Sequence, residues 1–210
     1  KSSVSQYATD YFALDNWSDT VTITLDTPTS ARLVPTDAAQ NAWYSNRGDV
    51  SDMRLTRTFD LTDVDSATLN YNLWYAIEEG WDYGYIMVST DDGEHWDILN
   101  TDNTTDFDPQ DNAYGSGYTG ESGGWISQNV SLDDYVGQEI QVRFELITDD
   151  AVNLAGLLVD DVSIPEIGYS SNFETDDGGW FGEGWFITDN ILPQPVWLQL
   201  IQVLPDDLIL

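Results

Sequence analysis

Apolar and polar residues alternate with a period of two through much of this chain, and helical periodicity is nearly absent. Residues 67–77 put Leu69, Tyr71, Leu73, Tyr75 and Ile77 on one face. Residues 139–148 do the same with Ile140, Val142, Phe144 and Leu146, leaving Arg143 and Glu145 on the other. Residues 20–26 alternate Val21, Ile23 and Leu25 against threonine, which reads as a half-buried strand. Further strands are expected at 53–59, 84–90, 125–130 and 157–164. Short strands with turn residues between them predict two packed antiparallel sheets, an all-β, jelly-roll-like antiparallel β-sandwich. Asp91-Asp92-Gly93 reads as a hairpin turn, because Asp and Gly tolerate the positive φ it needs. Asn100 to Gly124 has little periodicity and much Asp, Asn, Gly, Ser and Thr, so it is expected to be a long loop.

After Pro165 the pattern changes. Residues 168–190 are rich in glycine and aromatics, and 191–210 are mostly apolar with prolines at 193, 195 and 205. Val196, Leu198 and Leu200 alternate with Trp197 and Gln199, which suggests a strand buried on both faces. This tail either completes the sandwich or begins a second module. The organisation favoured is a lead-in over 1–19, a sandwich over 20–167 and an incomplete second β subdomain over 168–210.

Composition narrows the chemistry. The chain has 210 residues, with 38 acidic against 6 basic side chains and a net charge of −32. Such a charge repels nucleic acid and anionic membranes, so neither is an expected partner. Of the acids 29 are Asp and 9 are Glu, a skew toward turns and metal loops rather than helices. Nine Trp, eleven Tyr and seven Phe argue for a folded chain rather than an acidic disordered one. Two readings of the acidity stand together: calcium sites, and a halophilic source whose salt screens the repulsion. With no cysteine there is no disulfide and no thiolate metal site. No run of 18 apolar residues and no basic-then-apolar N-terminus is visible, so membrane insertion is not expected. Beginning at Lys1 in mid-motif, the sequence reads as a processed or trimmed piece.

Calcium takes six to eight oxygens, which short Asp side chains and strand-end carbonyls can supply. Glu78, Glu79 and Asp82 lie between two strand runs; Asp49 and Asp52 form another group. Asp160 and Asp161 interrupt an apolar strand, and strict alternation puts Asp160 on the face of Leu158, Val162 and Ile164. A carboxylate aimed at a core needs a cation or an arginine. The competing assignment makes these acids solvated turn residues or partners of Arg47, Arg54, Arg57 and Arg143.

WYSNRGDVSDMRLTRTFDL, YAIEEGWDYGYIMVSTDDGEHW, YGSGYTGESGGW, GLLVDDVSIPEIGYS and DNILPQPVWLQLI, in that order, resemble the region after the protease domain of immune inhibitor A-type secreted metallopeptidases. The resemblance covers roughly residues 5–203. It implies a non-catalytic jelly-roll-like sandwich, similar to MAM and carbohydrate-binding modules, with structural calcium, an extracellular location and an upstream metallopeptidase domain as partner. The zinc protease of that family carries His-Glu-x-x-His. This sequence holds only His95, so that site cannot be built from it and the chain is expected not to be an enzyme.

Other motifs read as incidental. Gly120 to Gly124 fit Gly-x-Ser-x-Gly, but no histidine follows to act as base. Arg47-Gly48-Asp49 is a short adhesion-like tripeptide, and the abundance of acids makes glycosidase-like pairs such as Glu78 and Asp82 unremarkable. His95, beside Trp96, is expected to be exposed or packed on an aromatic. Asn16, Asn103 and Asn129 head glycosylation sequons. Trp81, Tyr83, Tyr114, Tyr118 and Trp125 lie in or beside loops, where they could stack on sugar rings. The functional expectation is a calcium-stabilised accessory module that positions or targets a protease. The alternatives are a module binding an extracellular glycan or protein, and a surface or filament protein that self-associates through its C-terminal strands.

Overall fold

The computed structural model describes residues 8–13, 20, 22–36 and 41–201. They fall into two units, Ser30–Leu192 and the flanking Lys1–Thr29 with Pro193–Leu210. The first unit is an antiparallel β-sandwich. One sheet contains β2 (Ala42–Tyr44), β4 (Thr68–Ala76), β7 (Ile126–Ser131), β9 (Gly156–Ile164), β10 (Tyr169–Ser171) and β12 (Phe186–Thr188). Its strands run in the order β12-β2-β9-β4-β7, and β10 continues the β2 side of β9. The other sheet has the order β11-β3-β8-β5-β6, from β3 (Asp52–Asp60), β5 (Tyr83–Ser89), β6 (Asp97–Ile98), β8 (Glu139–Ile147) and β11 (Phe181–Glu183). β1 (Ser30–Arg32) and β13 (Ile191–Pro193) form a separate two-stranded ribbon.

The predicted alternation builds the core. Leu69, Tyr71, Leu73 and Tyr75 of β4 meet Ile140, Val142, Phe144 and Leu146 of β8 across the sandwich, with Tyr71 edge-on to Phe144 at 4.9 Å. Each such side chain leaves water for a close-packed interior, worth roughly 1.5–3 kcal/mol. β5 is buried on both faces. Ile86 and Val88 point to the inter-sheet core, while Tyr83, Tyr85 and Met87 form a second cluster beneath the long loop. That loop satisfies the buried hydroxyls: Tyr83 Oη donates to the Phe107 carbonyl, and Tyr85 Oη accepts from the Tyr114 N–H, both at 3.0 Å. The Asp92-Gly93 turn, with φ of +57° and +85°, returns the chain from β5 to β6.

Three expectations meet a different arrangement. Residues after 168 do not pair as a separate subdomain: β10, β11 and β12 join the two sheets of the sandwich. Phe173, Trp180 and Trp185 fill the same core, and Trp180 lies 5.5 Å from Phe144. The reason is topological, since Pro165–Gly168 forms a tight turn that folds β10 back on β9. Second, residues 22–26 carry no strand, and Ile23 and Leu25 are exposed. Alternation makes a ribbon amphipathic but supplies no strand for it to pair with; Val21, like Asn16, lies outside the described residues. Third, Val196, Trp197, Leu198 and Leu200 are exposed and no strand is assigned over 194–201.

Candidate metal centre

The Asp160 side chain faces outward because of a β-bulge. β4 and β9 are in register at Asn72↔Asp160, but two residues further back along β4 Asn70 meets Ser163, so β9 holds one extra residue. Asp161, with φ of +50°, occupies the bulge. The extra residue reverses the alternation. Leu157 and Val159 before it, and Val162 and Ile164 after it, all reach the inter-sheet core, whereas Leu158 packs on the outer face. Asp160 therefore shares the face of Leu158 only, and the sequence-based placement beside Val162 and Ile164 is corrected. Strict period-two counting fails wherever a bulge intervenes.

On that outer face Asp160 is half-buried. Burial pushes its carboxyl up to about 7; the Asp161 N–H, donating to Oδ1 at 2.7 Å, pulls the other way, and the charges of Asp161 and Glu174 add to the rise. No arginine or lysine forms an ion pair with it among the described residues. Glu174 is held by the Asn41 N–H on its Oε1 at 3.0 Å. Asp161 accepts from Asn72 Nδ2 at 2.9 Å, and Asn72 Oδ1 accepts from Ser127 Oγ at 2.7 Å. These are hard oxygen donors of one sign, near enough for the charges of Asp161 and Glu174 to act on Asp160; their ligand atoms do not gather as closely as those of the Asp91–Glu94–His95 group described below.

Glu174 was missed by sequence reasoning. The strand pairing brings it in: continuing the β9–β10 register of Ile164↔Tyr169 and Val162↔Ser171 puts Asp160 opposite Phe173, next to Glu174. A domain boundary drawn at 168 hid it.

The other predicted ligands are occupied or scattered. Asp82 is 1 % exposed, and its carboxylate accepts from the Asp149 N–H (3.0 Å) and the Glu78 N–H (3.4 Å). Burial raises its pKa against those two hydrogen bonds. It ties the β4–β5 turn to the loop after β8, a structural task. Glu78 is half-buried, whereas Glu79 is exposed and its chain packs by Gly120. Asp49 accepts from Asn153 Nδ2 at 2.9 Å, while Asp52 is paired with Arg54, so these two do not converge. The arginines follow the competing assignment only in part. Arg143 pairs with Glu145 and lies over Trp96 at 3.8 Å, but Arg57 sits 4.0 Å above the Tyr169 ring.

Asp91, Glu94 and His95 place ligand atoms within 4.8 Å of one another on the exposed β5–β6 turn. Asp91 accepts from the His95 backbone and side chain, and these bonds lower its pKa to about 2. They describe a self-closed turn. Among the aromatic candidates, Tyr83 and Tyr118 are buried at 2 % and 1 % exposure and cannot stack on a ligand. Trp125 packs against the cluster of Tyr44, Trp74 and Leu158. Trp81 and Tyr114 remain exposed, joined by Phe107, which the sequence reading did not single out.

The family model described as "Immune inhibitor A-like, MAM domain" matches residues 4–187. The match stops short of residue 203, where the resemblance was expected to end. Curated relatives include the pre-pro-metalloprotease PrtV of Vibrio cholerae serotype O1, 28% identical over 137 residues, which cover 65% of this chain and 14% of that protein. Immune inhibitor A of Bacillus thuringiensis subsp. alesti is 28% identical over 123 residues, 58% of this chain and 17% of the relative. Bacillopeptidase F of Bacillus subtilis is 27% identical over 104 residues, 50% and 6% respectively. The chain thus spans less than a fifth of the length of these curated relatives.

Proposed function

Because this chain belongs to the immune inhibitor A-like MAM domain family, we propose that it is a non-catalytic accessory module of a secreted metallopeptidase, stabilised by calcium and positioning the protease domain or its target. The observation that carries the calcium reading is the half-buried carboxylate of Asp160, which itself forms no ion pair with a basic side chain among the described residues and lies within reach of the charges of Asp161 and Glu174. Asp160 and Glu174, with Asp161, would hold the ion. A divalent charge there offsets the mutual repulsion of the acids and fastens β9 to the segment after β10. The peptidase chemistry belongs to another part of the parent chain, since one histidine cannot supply a His-Glu-x-x-His site.

Calorimetric titration of the chelated chain with calcium tests this reading. A saturable site in the micromolar to millimolar range, weakened by Glu174→Gln, is expected; heat that follows ionic strength alone overturns it. Casein incubated with the chain plus zinc and calcium should stay intact, and its cleavage would overturn the non-catalytic assignment.

A further inference from the structure

A groove of about 350 Å³ opens between β7, the edge strand of its sheet, and residues 100–103. Its walls are mostly amides, hydroxyls and one carboxylate, with Asn100, Asp102 and Asn103 on one side and Ser127, Gln128 and Asn129 on the other, and Val130 as the one apolar side chain in the lining. No cationic or aromatic side chain lines it. Gln128 is 6 % exposed and ties the walls together, its Nε2 donating to Asn103 Oδ1 at 2.7 Å and to the Ser127 carbonyl at 3.1 Å. Behind it a buried relay fixes the far wall: Tyr118 Oη lies 2.8 Å from Tyr71 Oη and 2.9 Å from Thr101 Oγ1. The floor is therefore rigid and fully engaged. Asn100, Asp102 and Asn129, in contrast, make no side-chain hydrogen bond among the described residues, so with Asn103 Nδ2 they leave polar groups without protein partners around the groove, the β7 residues alternating between the two faces of that edge strand.

We infer that this groove binds a neutral saccharide of one or two sugar units. Planar amides and a carboxylate match the paired donor and acceptor of vicinal hydroxyls, and a pre-ordered floor lowers the ordering cost of binding. The volume lies at the lower end of the roughly 300–1,000 Å³ typical of ligand pockets. An apolar ligand would leave this lining unpaired. Anionic sugars meet Asp102 and a net charge of −32. A peptide strand adding to β7 would find the Ser127 carbonyl already taken by Gln128. The inference deepens the positioning role by naming what the module is positioned on. Its chemistry does not depend on calcium, so the two readings can fail separately.

The test uses protein from a host that does not glycosylate asparagine, because Asn103 and Asn129 also head sequons. Side-chain amide resonances are followed by NMR during titration, in calcium, with N,N′-diacetylchitobiose, cellobiose and maltose, and with digalacturonate as an anionic control. At least one neutral disaccharide should shift the Asn100, Asn103, Asn129 and Gln128 amides saturably below about 20 mM. Asp102→Ala with Asn129→Ala should weaken that binding at least about fivefold. The inference is overturned if no neutral sugar shifts these amides, if digalacturonate binds equally well, if the double variant binds unchanged, or if the shifts centre on Trp81 and Tyr114. Calcium titration of the same sample reports on the metal reading independently.

Discussion

Replacing Asp160 with asparagine removes a negative charge from the outer face of β9 while keeping the shape of the side chain. In the absence of metal that charge opposes folding. The carboxyl of Asp160 titrates near 7 in the folded chain against 3.8 for an unperturbed aspartate. Fully shielded from water, ionising it at pH 8 would cost on the order of 4 kcal/mol; Asp160 is only partly covered, and solvent screening brings this to ~2 kcal/mol. The folded-state value is the higher one, so the fold is favoured while the group is protonated and loses stability as pH climbs from about 4 to about 7. Asp160→Asn should therefore stabilise the chelated protein at pH 8 by ~2 kcal/mol, near 5 °C in Tm for a domain of this size. With calcium at about a hundred times its dissociation constant the wild type gains roughly 2.7 kcal/mol, and the variant should lose most of that gain. The curves cross: the variant melts higher in EDTA, and its advantage vanishes or reverses in calcium. Differential scanning calorimetry at pH 8 with fixed ionic strength reads both arms. A variant that responds to calcium as the wild type does, or that is destabilised in EDTA, refutes the reasoning.

Other consequences follow from backbone and surface geometry. Gly156 has φ of +88°, and a Cβ there would clash with the Asn46 carbonyl oxygen; Gly156→Ala should cost ~2–3 kcal/mol in urea unfolding. Asp161 holds the bulge at φ of +50°, a region that Asn tolerates and β-branched residues resist. Asp161→Asn should thus stay near wild type, while Asp161→Val loses ~1–2 kcal/mol by the same assay. Asp91 should titrate near 2 by carboxyl NMR. Its folded value is depressed, so its contribution is present above the unfolded value of 3.8 and fades as pH falls through 2. Asp91→Asn should abolish that titration and change the pH dependence of unfolding only below about pH 4.

The period-two pattern located β3, β4, β5, β7, β8 and β9 to within a residue or two, because those strands each bury one or both faces in a common core and the pattern records that burial directly. Acid abundance and the lone histidine were legible as composition. The family was legible because several motifs recur in order. The candidate site was only half legible: Asp160 and Asp161 stood out as charges in an apolar run, but Glu174 belonged to a stretch that looked like new structure.

What the sequence by itself determined was the sandwich, its principal strands and the absence of a histidine pair for zinc. Only the tertiary structure decided which way Asp160 points, since one extra residue at the Asp161 bulge reverses every side chain beyond it. It also decided that Phe173, Trp180 and Trp185 complete the first core rather than begin a second. Tyr83 and Tyr118, which looked like loop aromatics free for a ligand, lie inside because a long loop folds over β5 and gives their hydroxyls partners. Local alternation encodes burial but carries no record of pairing across distance. Register, bulges and loop cover arise from contacts between residues far apart in the chain, and those contacts placed Asp160 beside Glu174 and opened the groove beside β7.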